Sequence, residues 1–65
     1  MKLIVNGENM DVPDGLDVND LIARHKLTPQ NVAVELNRRL LRREKYNTPL
    51  KDGDQVEIVT FVGGG

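Results

Sequence analysis

Only one stretch of this chain has the spacing of a helix. Val18, Leu21, Ile22 and His25 fall at i, i+3, i+4 and i+7, on a single helical face. Asp17 is a good N-cap, and Asp20 adds a carboxylate in the first turn, where the helix dipole favours it. The spacing predicts a helix over 18–26, with Pro29 preventing continuation. One short amphipathic helix cannot bury its stripe alone, so the rest of the chain must supply the other layer.

The rest reads as strands. Leu3-Ile4-Val5 is apolar and β-branched, and Asn6-Gly7 follows as a type I′ hairpin signal, because both residues tolerate positive φ. Glu8 to Val12 then alternates polar and apolar residues, as a half-buried strand does. Pro13-Asp14-Gly15 breaks it. After the helix, Val32-Ala33-Val34-Glu35-Leu36 forms a third strand, Asn37-Arg38 turns the chain, and Leu40-Leu41 makes a short fourth. Residues 42–50 read as irregular, with a helical turn expected near Glu44-Lys45-Tyr46. Lys51-Asp52-Gly53-Asp54 is a tight turn. Gln55 to Phe61 is the final strand, with Val56, Ile58 and Thr60 on one face and Glu57, Val59 and Phe61 on the other.

The order β-β-α-β-β-β is the layout of the β-grasp fold, a two-layer α+β domain with one mixed sheet packed on one helix. The expected core is the helix stripe with Leu3, Val5, Met10, Val12, Val34, Leu36, Val56 and Ile58. Residues 1–62 form the domain and 63–65 a flexible glycine tail.

Size and composition exclude several functions. A chain of 65 residues buries only about 60% of its unfolded surface, which leaves little room for a deep catalytic pocket. There are no cysteines, hence neither disulfides nor a thiolate metal site, and a cytoplasmic home is favoured. No apolar run approaches the roughly 20 residues that span a bilayer. Met1 to Asn6 reads as a strand rather than a leader segment. Nine basic and ten acidic residues give a net charge of −1, so bulk charge points to neither nucleic acid nor an anionic membrane.

Gly63-Gly64-Gly65 directly after a strong strand is the most informative motif. Glycine adds no contacts to a core, and ordering it costs about 1–2 kcal/mol per residue. Without Cβ atoms, however, an extended glycine segment can thread a narrow channel in another protein. It ends in a carboxylate, a poor electrophile when ionised. A partner could activate it by adenylylation, using Mg²⁺ and positive charge to stabilise the phosphoryl transfer. The acyl-adenylate is then open to sulfide, a persulfide or an amine. The bland reading of terminal glycines is a loose end. The strand that precedes them without a linker favours the functional one.

The chain resembles the ThiS family of small ubiquitin-like sulfur carriers along nearly its whole length. The matching stretches are Val5-Asn6-Gly7, Pro13-Asp14-Gly15, Val32 to Asn37, Arg43-Glu44-Lys45-Tyr46, and Leu50 to Val59 running into Phe61-Val62-Gly63-Gly64. The resemblance implies that the Gly65 carboxylate is adenylylated with ATP by a ThiF-type enzyme and then converted to a thiocarboxylate. The sulfur derives from cysteine through a donor enzyme, and a ThiG-type thiazole synthase takes it into the thiazole ring of thiamine. Gly63 and Gly64 would thread the partner's channel. Arg38 departs from the glycine or other turn residue common at that place, and the tail has three glycines rather than two.

Ile4, Val59 and Phe61 are expected to share the sheet face away from the helix, as an apolar docking patch leading to the tail. Scattered surface apolar residues are the ordinary alternative. Arg38, Arg39, Arg42, Arg43 and Lys45, with Glu44 the one acid among them, would suit electrostatic steering toward an acidic partner. A solvated face or an RNA-binding module are the rival readings, but one Phe and one Tyr offer little stacking surface. His25 is placed at the helix C-terminus, where the dipole favours positive charge. No metal site and no nucleophile–base pair is expected. Two alternatives to the thiazole reading stay open: a molybdopterin synthase small subunit-type carrier, and a non-enzymatic RNA- or protein-binding module.

Overall fold

The computed structural model describes residues 1–61. Five strands form one sheet: β1 (Lys2–Val5), β2 (Glu8–Asp11), β3 (Val32–Leu36), β4 (Arg39–Leu41) and β5 (Gln55–Thr60), with one helix, α1 (Val18–Arg24). Their order across the sheet is β2-β1-β5-β3-β4. β1 and β5 run parallel, and the other neighbours are antiparallel. This is the β-grasp arrangement expected from the element order.

Local chemistry explains the elements. Asn6 and Gly7 both have positive φ, at 49° and 82°, as a type I′ turn demands. Asp17 and Asp20 make a reciprocal capping box: the Asp20 N–H donates to Asp17 Oδ1 at 2.8 Å, and the Asp17 N–H donates to Asp20 Oδ2 at 3.0 Å. The first two helical N–H groups are met from elsewhere. Val18 donates to the Thr48 carbonyl and Asn19 to the Tyr46 carbonyl. The segment read as irregular is therefore tied across the start of the helix, with one turn of 3-10 helix at Arg43–Lys45.

The helix ends at Arg24, two residues before the expected boundary and well ahead of Pro29. Its stop is a Schellman motif. Lys26 adopts the left-handed conformation, with φ 59°. Its N–H reaches the Ala23 carbonyl, while that of Leu27 reaches Ile22. Leu27 then packs back against the core. His25 caps the helix, and its Nδ1 lies 2.9 Å from the Leu21 carbonyl. That oxygen can only accept, so Nδ1 carries the proton.

The core lies between α1 and one sheet face. Leu3, Val5, Val12, Val18, Leu21, Ile22, Val34, Val56 and Ile58 are buried as expected. Each such side chain contributes roughly 1.5–3 kcal/mol before entropy is set against it. Met10, Leu36 and His25 are only half-buried. In their place the core takes Val32, Tyr46 and Leu50. Tyr46 and Leu50 close the open end of the two layers beside the helix N-terminus.

Asn37 and Arg38 form the β3–β4 turn with φ of 52° and 70°. The hairpin geometry therefore survives the arginine, but a side chain with a Cβ is strained there. Arg38→Gly is expected to stabilise the domain by about 1 kcal/mol, read as a higher urea midpoint with an unchanged slope.

Candidate functional site

The last strand sets where the chain's end emerges. β5 lies inside the sheet, parallel to β1 through the rungs Ile4–Gln55 and Val5–Val56. It pairs antiparallel with β3 through five rungs, from Val32–Thr60 to Leu36–Val56. Two asparagine side chains reinforce it. Asn6 Oδ1 accepts from the Ile58 N–H at 2.7 Å. Asn37 Oδ1 accepts from the Gln55 N–H at 2.9 Å, and Asn37 Nδ2 donates to Asp54 Oδ1 at 3.0 Å. Each asparagine supplies both the turn conformation and a bond that holds β5. Phe61 lies just past the strand, yet its N–H still donates to the Asn31 carbonyl at 2.9 Å. The sheet thus holds the chain up to the residue before Val62. The tail glycines Gly63, Gly64 and Gly65 lie outside the described residues.

The face of β5 away from the helix carries Gln55, Glu57 and Val59, and the alternation takes Phe61 onto the same side. Val59 is 58% and Phe61 62% exposed. The register does not bring Ile4 to them. Ile4 is half-buried on this outer face, but it is level with Gln55, four residues and so about 13 Å along the strand from Val59. Val59 stands opposite Ala33 instead. The other large exposed apolar residue among the described ones is Leu40, at 71%. It lies on the same face, opposite Glu35, two rungs along from the Val59–Ala33 pair and two strands over from β5. The exposed apolar residues of this face are thus Val59 and Phe61 at the end of β5 and, apart from them, Leu40 on β4. Leu40 was absent from the expected patch because a two-residue apolar run does not show which of its members faces out.

Between these apolar groups sit two acids. Glu35 and Glu57 are direct cross-strand partners, both exposed, and neither has a cation within ion-pair distance among the described residues. Like charges placed this way oppose pairing. The cations lie elsewhere: Arg38, Arg39, Arg42, Arg43 and Lys45 line the β4 edge and the following turn, all exposed. They too have no ion-pair partner among the described residues. The ion pair present joins the N-terminal ammonium to Asp14 at 3.0 Å. No group of three or more His, Asp or Glu is placed to hold a metal ion among the described residues. No helix there is long and apolar enough to cross a membrane.

A mixed five-stranded sheet on one helix, whose internal last strand runs into a glycine end, defines a ubiquitin-like β-grasp domain. The chain belongs to the ThiS family, whose model matches residues 3–65. It is 43% identical over 49 residues to the sulfur carrier protein ThiS of Bacillus subtilis, an alignment that covers 74% of each chain. The crystal structure of the thiamine biosynthesis protein ThiS from Geobacter metallireducens superposes with a TM-score of 0.82 at 40% identity, over the full length of both chains. All of this chain is also 36% identical to part of a thiazole synthase from Paramagnetospirillum magneticum, and it spans 20% of that protein's length.

Glu57→Lys would place opposite charges across the β3–β5 rung. It is expected to raise stability by about 0.5 kcal/mol, an increment that shrinks in high salt. Urea unfolding at two ionic strengths measures both.

Proposed function

We propose that this protein is the sulfur carrier for the thiazole ring of thiamine, and that its working group is the Gly65 carboxylate. The observation that carries the reading is the family match, which runs through the β-grasp body to the final glycine. The chemistry follows from what a carboxylate lacks. One oxygen of the Gly65 carboxylate attacks the α-phosphorus of ATP and pyrophosphate departs, with Mg²⁺ held by the activating partner. The mixed anhydride is electrophilic where the carboxylate was not. A persulfide of the sulfur donor adds at its carbonyl carbon and AMP leaves, giving an acyl disulfide. A partner's thiol then attacks the donor's sulfur of that S–S bond, forming a new disulfide and leaving the thiocarboxylate on Gly65. Every catalytic group in this scheme belongs to a partner, so the protein is a carrier and not an enzyme.

Three partners follow: a ThiF-type adenylyltransferase, a sulfur donor enzyme and a ThiG-type thiazole synthase. The last is favoured by the thiazole synthase that carries a region similar to this whole chain within one longer polypeptide. A covalent link of that kind keeps carrier and synthase at high effective concentration. Gly63 and Gly64 offer no Cβ to a narrow channel, which suits delivery into a buried site. Val59 and Phe61 at the root of the tail suit docking, and the arginines of residues 38–45, without ion-pair partners among the described residues, suit steering toward acidic surfaces. A cytoplasmic location suits these reactions, which draw on ATP.

Intact-mass analysis tests the reading. After incubation with ATP, the adenylyltransferase and a sulfur source, the chain should gain the mass of one oxygen-to-sulfur exchange, mapped to Gly65. Deleting Gly64-Gly65 should abolish the gain. An unmodified wild-type chain would remove the carrier reading. Phe61→Ser, at an exposed position, should leave the melting curve within about 0.5 kcal/mol of wild type and slow adenylylation severalfold. A folded variant activated at the normal rate would take Phe61 out of the docking surface.

A further inference from the structure

The two sides of β5 are not equally satisfied. Its odd-numbered residues turn their backbone groups toward β3, as the bonds from the Asn37 N–H to the Gln55 carbonyl and from the Phe61 N–H to the Asn31 carbonyl show. Its even-numbered residues face β1. There Asp54 and Val56 accept from Ile4 and Asn6, and the Ile58 N–H is taken by the Asn6 side chain. At Asn6-Gly7 the chain turns back into β2, so β1 goes no further. The Ile58 carbonyl and both backbone groups of Thr60 therefore face an edge with no ladder partner among the described residues.

This edge differs from the outer two. Glu8, Asn9 and Asp11 line β2, and arginines flank β4, the charged blunting that discourages strand addition. Ile58-Val59-Thr60-Phe61 has no charge, no proline and no glycine. It is β-branched and aromatic, as pairing strands are. It also forms the root of the tail, so whatever receives Gly65 must pass close to it.

We infer that the open rung at Thr60 is where the thiazole synthase adds an extended segment of its own to this sheet, in the position β1 vacates. The inference rests on the sulfur-carrier reading. One residue of the added strand can exchange two hydrogen bonds with Thr60, and side chains flanking it meet Val59 and Phe61. Backbone pairing tolerates varied sequence, and it orients the tail by fixing the direction of the strand that leads into it.

The test uses Thr60→Pro. The Thr60 N–H points to the open side, so proline removes no bond within the domain and stands where edge strands accept it. Thr60→Val changes the side chain and keeps the N–H. Binding to a purified ThiG-type synthase from the same organism is measured by calorimetry. Thr60→Pro should weaken it about tenfold, with Thr60→Val near wild type. Amide exchange on the wild-type chain gives a readout that does not depend on the variant's folding. The Thr60 amide should exchange fast in the free protein and slow at least about tenfold in the complex. Equal affinity of folded Thr60→Pro, or a Thr60 amide unchanged by the synthase, overturns the edge and leaves the carrier reading standing. Protection of Thr60 in the free chain that grows with concentration overturns it in favour of a second copy as the occupant. No complex with the wild-type chain overturns the edge and the synthase partnership together, while the mass test still decides on the carrier.

Discussion

The pairing of β5 with both of its neighbours is the interaction on which the rest depends. β5 is the last strand in sequence, yet it lies inside the sheet. Val56 and Ile58 carry the core on its inner face, while Asn6 and Asn37 reach in from the two hairpin turns that flank it. The Asn6–Ile58 bond closes a separation of 52 residues. Such contacts form only after much chain entropy has been lost, so neither hairpin is a complete substitute for the other. The early hairpin, the helix and the β3–β4 hairpin are local. They become one domain when β5 enters.

That dependence also explains how a marginal domain can present its end with accuracy. The root of the tail is anchored by the strand with the most partners, up to the bond between Phe61 and Asn31. The direction in which the chain reaches Phe61 is then a property of the whole fold. A rigid body that holds the chain up to Phe61 suits the proposed delivery of the Gly65 carboxylate to a partner.

Charge is laid out with similar economy. Among the described residues the core holds no buried charge, and the cations of residues 38–45 gather along the edge farthest from β2. The Glu35–Glu57 pair stands among exposed apolar groups on the outer face. An acidic pair on the outer face and a basic rim along β4 give the domain two surfaces of opposite charge, at a small stability cost.

Several features were legible in the residues alone. Asn-Gly named its turn, the i, i+3, i+4 stripe and Asp17 named the helix, and alternation assigned Val56 and Ile58 inward. These signals are local, because turn geometry, capping and side-chain period act over a few residues. The role read into the terminal glycines, Gly63 to Gly65, lies outside the described residues. The burial of Tyr46 and Leu50 was not legible, for they sit in a segment without a period and are fixed by bonds to the helix start. The helix end was misplaced because Lys26, not a glycine, takes the left-handed turn. Only the tertiary structure separated Ile4 from Val59, turned Leu40 onto the outer face and left Thr60 at an open edge. All three follow from the register between strands: Ile4 against Gln55 and Leu40 against Glu35. Register is chosen by packing across the whole sheet, and no short stretch of sequence contains it.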